Sequence, residues 1–259
     1  MTELAAVIFD VDGTLVDSER HGHRVAFNRA FEAFGLPYRW DEDLYGELRH
    51  VTGGQRRIDG YLAGQGVAEA ERAELAPALH ARKTEILQAM VDDGAIEVRP
   101  GVTRLLEELS AARCRLAVGT TGSRGWVERL LRRLLPATSW EVVVAGDDVS
   151  ARKPDPEVFQ LAMEKLGLSA DRAGARSGGA AVVVEDSAEG LTAARAAALA
   201  CVVVVNGYTA DHDLTGADLV LDGFGDPGAP AVVLDDPHAT GCDGILTVDL
   251  LRTLSRCPR

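Results

Sequence analysis

Short apolar runs recur along the chain, and they predict the strands of a parallel sheet. The runs lack the alternation of apolar and polar residues that a half-exposed strand shows, which is typical of strands buried on both faces. They are Ala5 to Phe9, Arg115 to Val118, Val142 to Ala145, Ala181 to Val184, Cys201 to Val205 and Leu219 to Leu221.

Helix-like segments lie between most of these runs. Pro100 opens the stretch PGVTRLLEELSAAR, in which apolar residues recur at the spacing of one helix face. The stretch PDPEVFQLAMEKLG closes on Gly167 as the expected C′ residue, and DSAEGLTAARAAALA has Asp186 or Ser187 as its expected N-cap. Strands that alternate with helices in this way predict a doubly wound, Rossmann-like α/β fold.

Residues 18–96 break this alternation, because they contain helical patterns and no strand-like run. The pattern predicts an α-helical domain inserted after the first strand, while residues 1–17 and 97–259 form the α/β core. Within the core, Arg172 to Gly179 is predicted to be a surface loop. The stretch Asp222 to Gly244 is predicted to be irregular and to precede a short C-terminal helix.

Composition and charge narrow the classes of function. The 259 residues carry a net charge of −13, which argues against a nucleic-acid partner, because such binding needs clustered lysines and arginines. A small anionic substrate is compatible with that charge if cations gather in one cleft. The apolar runs are too short to span a bilayer, no signal peptide is recognised, and none of the four cysteines forms a CxxC pair. We expect a cytoplasmic monomer with reduced thiols and no membrane partner.

Polar residues follow the ends of the predicted strands. In an open parallel sheet, ligands bind outside the carboxyl ends of the strands, so these residues are expected to converge at one edge. Clustered carboxylate oxygens suit a hard cation such as Mg²⁺. The converging residues are Asp10 and Asp12 after the first strand, Thr120 and Thr121 after the second, Lys153 before a helix, and Glu185 and Asp186 after a later strand.

Several interpretations of Asp10 and Asp12 are open at this point. The two carboxylates can simply cap the turn after a strand, or they can belong to a calcium loop, although the third acidic position before the glycine is missing. A glycosyltransferase DxD metal motif is another alternative, but it does not require Thr120, Lys153 and the later acidic pair. All four groups together favour catalysis.

These four groups, in this order, resemble the motifs of the haloacid dehalogenase superfamily. DxDGT at residues 10–14 is similar to the first motif, Thr120 to the second, Lys153 to the third and the pair Glu185–Asp186 to the fourth. The longer stretches DVDGTLVDSERHGHRVAFN, TGGQRRI, AGDDVSARKPDPEVF and VVVEDSAEGLTAA resemble CbbY-type members. The resemblance implies a small α-helical cap and a Mg²⁺-dependent phosphatase that hydrolyses a sugar phosphate, with xylulose 1,5-bisphosphate as the preferred substrate.

The resemblance also implies roles for the core residues. Asp10 is expected to attack phosphorus and form an aspartyl-phosphate, and Asp12 to act first as general acid and then as general base. Thr120 and Lys153 are expected to bind the phosphoryl oxygens. The expected magnesium ligands are Asp10, the carbonyl oxygen of Asp12, Asp186 and, as an alternative to a purely hydrogen-bonding role, Glu185.

Substrate contacts are expected in the helical insertion as well. Glu19 is implied by the resemblance, and His23 shares its helix face four residues later. CbbY-type sequences usually carry lysine where this chain has Gln55, and Arg56 can replace that charge. The paired glycines of this segment permit a tight turn. Its arginine and lysine side chains suit a distal phosphate; alternatively, they form a basic face in contact with solvent. The full predicted set is Glu19, His23, Gly53, Gly54, Arg57 and Lys83, with Thr121 of the core.

Two other functions share part of these features. β-Phosphoglucomutase has the same fold and core motifs, but mutases of that type usually carry a VSREDS-like stretch where this chain has TGGQRRI. A non-enzymatic phospho-ligand-binding protein has no need of the intact set Asp10, Asp12, Lys153 and Asp186. The sequence therefore favours a phosphatase whose partner is a small-molecule sugar phosphate.

Overall fold

A seven-stranded sheet forms the centre of the fold in a computed structural model, which describes residues 4–51, 53–168 and 180–257. The strands stand in the order β3-β2-β1-β4-β5-β6-β7, and all neighbours are parallel except β6 and β7. The strands are β1 Leu4–Phe9, β2 Arg115–Gly119, β3 Trp140–Val144, β4 Ala180–Glu185, β5 Ala200–Val204, β6 Leu219–Leu221 and β7 Val233–Asp235.

The order of the strands changes direction between β1 and β4. From β1 the chain proceeds to β2 and β3 on one side, and it then returns to β4, β5 and β6 on the other. Open α/β sheets bind ligands at such a switch point, outside the carboxyl ends of the strands. Phe9 of β1 lies opposite Val184 of β4, so the residues that follow these two strands emerge side by side.

The helices belong to two compact units of the chain. The first, the α/β unit, consists of Met1–Val16 and Val98–Arg259, and the second consists of Asp17–Glu97. The second, the helical unit, begins with a π-helical turn at Glu19–His23. Its helices are α1 Arg24–Ala33, α2 Glu42–Leu48, α3 Gly54–Gly64 and α4 Glu69–Asp92; those of the α/β unit are α5 Val102–Ala111, α6 Arg124–Leu134, α7 Glu157–Lys165, α8 Ala188–Ala196 and α9 Val248–Leu254.

Two of the predicted helix ends are confirmed. The hydroxyl of Ser187 accepts a hydrogen bond from the Gly190 N–H at 3.1 Å, so Ser187 is the N-cap of α8. Gly167 follows α7 with a φ of 65°, the left-handed conformation expected of a C′ glycine.

The sheet of the α/β unit is covered on both faces, as the unbroken apolar runs predict. Successive side chains of a strand point to opposite faces. On one face, Ile8, Val183 and Val203 belong to an apolar cluster with Phe159 of α7 and Leu191 of α8. Helix α5 contacts β2 and α9.

The helical unit has an aromatic core. The ring of Trp40 lies 4.7 Å from that of Phe27, 5.0 Å from that of Phe31 and 5.2 Å from that of Tyr61, measured between centroids. These rings supply large apolar contact areas in a small volume. Helix α2, which the sequence pattern did not predict, is short and is capped by the Asp41 carboxylate, which accepts from the Leu44 N–H at 2.9 Å.

The predicted fold class, a Rossmann-like α/β core with helices inserted after the first strand, is confirmed. One prediction for the core is wrong in part, because the stretch 222–244 contains β7, which pairs antiparallel with β6 at the sheet edge. The predicted surface loop Arg172 to Gly179 lies outside the described residues. Among the helices of the described ranges, none combines the length and the apolar character that crossing a membrane requires.

Candidate active site

Asp10 lies directly after β1, at the switch point of the sheet. Its backbone N–H donates to the Val184 carbonyl at 3.0 Å, which fixes Asp10 beside the end of β4. Its side chain is buried, and Oδ1 accepts a hydrogen bond from the Lys153 ammonium at 2.6 Å. The structure therefore brings the predicted nucleophile into contact with the predicted phosphate-binding lysine.

Lys153 joins Asp10 to Glu185. An ammonium has three N–H donors, and this one has three acceptors: Asp10 Oδ1, the Gly119 carbonyl at 2.8 Å and Glu185 Oε1 at 2.5 Å. Its Nζ also lies 4.8 Å from the centroid of the Phe159 ring. Because only 6% of the Lys153 side chain is exposed, water contributes little to holding this ammonium in place.

Burial and charge act against each other in this cluster. Burial raises the pKa of Asp10 from 3.8 to about 7, although Lys153 acts in the opposite direction. Burial also disfavours the charged form of Lys153, but Asp10 and Glu185 outweigh it and raise the pKa of that ammonium above its ordinary value. One ammonium is thus shared by two buried carboxylates, and negative charge is in excess at this edge of the sheet.

Glu185 is engaged through both carboxylate oxygens. While Oε1 accepts from Lys153, Oε2 accepts from the backbone N–H groups of Asp186 at 2.9 Å and Ser187 at 3.2 Å, and from the Ser187 hydroxyl at 3.1 Å. Of the two roles expected for Glu185, this arrangement favours the hydrogen-bonding one over metal ligation.

Asp186 is oriented by two side-chain donors. The Thr14 hydroxyl donates to Oδ1 at 3.2 Å, and the Asn206 amide donates to Oδ2 at 2.7 Å. Gly13 passes close to the same carboxylate with a φ of +90°, and a Cβ at that position would meet Asp186 Oδ2 at 2.5 Å. Glycine is therefore required here both for the backbone conformation and for the approach to Asp186.

Asp12 is half-buried and lies against a tryptophan. The indole Nε1 of Trp126 is 3.1 Å from both Oδ1 and Oδ2 of Asp12, so its N–H is shared between the two oxygens. Trp126 belongs to the first turn of α6, which follows β2 by way of the predicted residues Thr120 and Thr121. The buried Thr120 donates its N–H to the Val144 carbonyl at 3.0 Å, and Thr121 is half-buried.

Arg99 fixes the loop that carries Asp10 and Asp12. Its guanidinium donates to the Gly13 carbonyl at 2.6 Å, to the Val204 carbonyl at 2.9 Å and to the Val205 carbonyl at 2.7 Å. Its backbone N–H donates to the Leu15 carbonyl at 3.0 Å. A planar group with five donors is suited to such a junction, and it holds the loop after β1 to the end of β5.

In the helical unit, Glu19 and Arg57 meet at a buried tyrosine. The Tyr45 hydroxyl donates to Glu19 Oε2 at 2.5 Å, and the Arg57 guanidinium donates to the Tyr45 oxygen at 3.3 Å and to the Leu48 carbonyl at 3.0 Å. Burial and the neighbouring Glu19 raise the pKa of Tyr45. Two predicted substrate residues thus share one polar network, which the sequence alone did not link.

A second group in the helical unit is basic. The Lys83 ammonium lies 2.7 Å from His23 Nδ1 and 4.9 Å from the centroid of the Phe27 ring, and the lysine is buried. Burial, Lys83 and His23 lower the pKa of His80. Gly54 begins α3 beside His80, since a Cβ there would meet His80 Cδ2 at 2.8 Å.

The remaining predicted positions surround the start of α3. Gly53 is the N-cap residue of α3 and has a φ of 95°, so a glycine is needed at this turn. Gln55 and Arg56 are exposed in the first turn of α3, whereas Arg57 is half-buried.

The donor set at the sheet edge fits a hard divalent cation. The carboxylates of Asp10, Asp12, Glu185 and Asp186 lie at or just after the ends of the paired strands β1 and β4, and oxygen donors are what Mg²⁺ prefers. Within the described part of the chain, no three His, Cys, Asp or Glu side chains form a group that could hold a metal ion by themselves. The predicted set of two carboxylates and one carbonyl oxygen needs no such group.

Sequence reasoning missed the residues that orient the predicted ones: Trp126, Asn206, Arg99 and Tyr45. Asn206 follows the fifth strand, so the rule that polar residues at strand ends line the site would have found it. Trp126 and Tyr45 lie on helices and are apolar in most contexts, and no local signal distinguishes them from core residues.

Comparison with known proteins gives the class of the chain. A family model described as haloacid dehalogenase-like hydrolase matches residues 4–198. A CBBY-like protein of Arabidopsis thaliana is 40% identical over 231 residues, which are 86% of this chain and 70% of that protein. Protein CbbY of Cereibacter sphaeroides is 40% identical over 232 residues, which are 88% of this chain and 96% of that protein.

A solved structure of a CbbY protein is also similar to this chain. The crystal structure of a mutant of CbbY from Rhodobacter sphaeroides, in complex with xylulose 1,5-bisphosphate, has a TM-score of 0.72 at 38% identity and covers 86% of this chain and 95% of that one. The chain belongs to the haloacid dehalogenase-like hydrolases. Within that family it is similar to the CbbY proteins, so the predicted resemblance is confirmed, and so is the predicted enzyme class, a phosphoric monoester hydrolase of this superfamily.

Proposed function

We propose that this enzyme is a Mg²⁺-dependent phosphatase that hydrolyses a sugar phosphate, preferably xylulose 1,5-bisphosphate, through an aspartyl-phosphate on Asp10. The observation that carries the proposal is the buried contact of Lys153 with both Asp10 and Glu185 at the switch point of the sheet. The similarity to CbbY, which has been crystallised with xylulose 1,5-bisphosphate, supports the choice of substrate.

Asp10 supplies the nucleophile. In the first step, a carboxylate oxygen of Asp10 forms a bond to phosphorus in line with the leaving sugar oxygen. Lys153 keeps Asp10 in place, and together with Thr120 it binds the phosphoryl oxygens, for which its ammonium exchanges one of its three acceptors in the protein. Burial raises the pKa of Asp10 to about 7 even though Lys153 is in contact, so a further positive charge would favour the ionised form of this carboxyl at neutral pH.

Asp12 moves the protons. It gives a proton to the sugar oxygen as the phosphorus–oxygen bond breaks, and it then accepts a proton from the water that hydrolyses the aspartyl-phosphate. General acid–base catalysis of this kind contributes about 10² to 10⁴ in rate. Asp12 lies two residues from Asp10 on the same loop, which suits two groups that serve one phosphorus atom.

Asp10, the carbonyl oxygen of Asp12 and Asp186 are the proposed magnesium ligands. Thr14 and Asn206 hold the carboxylate of Asp186 in one orientation, and ligands oriented in this way bind a metal with less reorganisation. Bound magnesium would neutralise the charge of the phosphate and of the attacking carboxylate. Glu185 is proposed to act through Lys153 and the backbone rather than as a ligand.

In the helical unit, we propose that Glu19, His23, Gly53, Gly54, Arg57 and Lys83 contact the substrate. Lys83, which lies beside His23, and Arg57, which donates to Tyr45, carry positive charges. A second phosphate requires groups of this kind. Because Gln55 stands where CbbY-type sequences usually carry lysine, Arg57 and Lys83 are the side chains to which we assign that phosphate.

Two parallel incubations, one for each substrate, separate the proposal from its two alternatives. The protein is supplied with MgCl₂ and either xylulose 1,5-bisphosphate or β-glucose 1-phosphate, and both inorganic phosphate and glucose 6-phosphate are measured. We expect phosphate from the bisphosphate. Glucose 6-phosphate without phosphate release would favour a β-phosphoglucomutase, and neither product would favour a non-enzymatic phospho-ligand-binding protein.

A further inference from the structure

The indole of Trp126 contacts the carboxyl group of Asp12, the proposed general acid and base. The Trp126 indole is 5% exposed, so it is held by the packing of α6, and its Nε1 lies 3.1 Å from each oxygen of Asp12. An indole N–H is a donor only, and its direction is fixed once the ring is packed. The carboxyl group of Asp12 is therefore oriented by a rigid partner.

The backbone between β2 and α6 leaves room for this contact. Gly122 lies beside both residues, and a Cβ on it would come within 3.2 Å of Asp12 Oδ2 and 3.3 Å of Trp126 Cδ1. The position of Gly122 is itself fixed, because its carbonyl accepts from the Gly146 N–H at 2.8 Å. Any side chain at residue 122 would press on the carboxylate and the indole together.

We propose that Trp126 is a positioning residue for Asp12, whose N–H holds one carboxyl oxygen while the other oxygen gives and takes the proton. This inference rests on the proposed function. The N–H is equidistant from the two oxygens, so a small rotation leaves it bonded to either one. Asp12 can then exchange a proton without losing its orientation towards phosphorus.

Each of the two proton transfers accompanies the breaking of one bond to phosphorus and the formation of another. In the first step the Asp12 O–H bond breaks and its proton passes to the sugar oxygen, while the bond from phosphorus to that oxygen breaks and the Asp10–phosphorus bond forms. In the second step a water O–H bond breaks and its proton passes to Asp12, while the water oxygen bonds to phosphorus and the Asp10–phosphorus bond breaks. A carboxyl group misplaced by about 1 Å loses about 10²-fold in rate, so orientation matters in both steps.

The test is the Trp126→Phe variant, which keeps an aromatic ring and removes the N–H. We expect kcat/KM for a sugar phosphate to fall about tenfold or more, while KM stays within about twofold, because an orienting contact acts on the transition state. With p-nitrophenyl phosphate, whose leaving group departs without a proton, we expect kcat/KM to stay within about twofold of the wild-type value.

Trp140→Phe is the matched control. It is the same chemical change on β3, at an indole N–H that is buried and donates to no partner within the described part of the chain. Equal kcat/KM values for Trp126→Phe and Trp140→Phe, or equal losses with both substrates, would overturn the inference. If Trp126→Phe does not fold, as judged by circular dichroism, the ratio of the two substrates is measured in Gly122→Ala, which displaces the same two groups.

Phosphate release by the wild-type protein and by Asp10→Asn tests the proposed function separately from the role of Trp126. If the wild-type protein releases phosphate and Asp10→Asn does not, the proposed function stands whatever Trp126→Phe does. If the wild-type protein releases no phosphate from any sugar phosphate, the proposed function fails, and the role of Trp126 fails with it.

Discussion

Gly190 of α8 leaves the space that the carboxyl group of Glu185 occupies. A Cβ at residue 190 would lie 1.9 Å from Glu185 Cδ and 2.0 Å from Oε1, the oxygen that accepts from Lys153. The absence of a side chain at Gly190 thus determines where the carboxylate of Glu185 lies. Because Lys153 donates to both Glu185 and Asp10, the position of Glu185 also affects Asp10.

Gly190→Ala is therefore expected to displace Glu185 from Lys153. Overpacking of this kind costs about 1–3 kcal/mol of unfolding free energy, and we expect phosphatase activity to fall more than tenfold. Urea unfolding and phosphate release measure the two effects. Gly125→Ala on α6 is the control, because a Cβ there meets nothing within 4 Å; a loss of equal size in both variants would speak against the role of Glu185.

Asp10→Asn is expected to stabilise the protein in EDTA at neutral pH. Burial raises the pKa of Asp10 from 3.8 to about 7, so the folded state binds a proton that the unfolded state has lost. The wild-type protein therefore loses stability as the pH rises from about 4 to 7, by at most about 4 kcal/mol from this group, and asparagine does not.

Thermal unfolding at pH 4 and at pH 7.5 tests whether the wild-type protein loses stability with rising pH relative to Asp10→Asn. The Tm advantage of Asp10→Asn should be larger at the higher pH. Asp93→Asn, at an exposed helix end, is the control for the loss of one negative charge. An advantage that shrinks with rising pH would show that Lys153 dominates over burial.

Asn206→Ala is expected to weaken magnesium binding about 10- to 100-fold, as is typical when a group that orients a ligand is removed. The reason is the 2.7 Å hydrogen bond from the Asn206 amide to Asp186. Isothermal titration with MgCl₂ measures the affinity without turnover. Thr14→Val removes the longer bond to the same carboxylate and should have a smaller effect; unchanged affinity in both variants would exclude Asp186 as a ligand.

Arg57→Ala is expected to raise the KM for xylulose 1,5-bisphosphate about tenfold or more, and to leave the KM for a small monophosphate unchanged. A charge-assisted contact to a second phosphate is lost in only one of the two substrates. Arg29→Ala is the matched control, because Arg29 is an exposed arginine of helix α1 in the same unit and is not among the predicted substrate contacts. Equal effects of Arg57→Ala on both substrates would contradict a contact with the distal phosphate.

Much of the α/β unit could be predicted from local sequence. Buried parallel strands leave unbroken apolar runs, and the residues that follow them must emerge at one edge, which is why Asp10, Lys153 and Glu185 could be grouped before their contacts were known. The edge strand β7 could not be predicted in this way, because it is short, mostly exposed and surrounded by turn residues.

The partners of the site residues were harder to predict. Trp126 meets Asp12 across 114 residues of sequence, and Asn206 meets Asp186 from the next strand, so neither contact leaves a local pattern. Tyr45 and α2 were missed for a related reason. The segment that contains them is held by aromatic packing with Trp40 and Phe27, and tertiary packing overrides a weak helical signal.

The role of Asp10 as nucleophile is tested by the release of inorganic phosphate from xylulose 1,5-bisphosphate in the presence of MgCl₂, compared between the wild-type protein and Asp10→Asn. We expect rapid release by the wild-type protein, with a clear preference over sugar monophosphates, and a loss of at least about 10³-fold in Asp10→Asn, because no aspartyl-phosphate can form. Wild-type rates in Asp10→Asn would show that Asp10 is not the nucleophile.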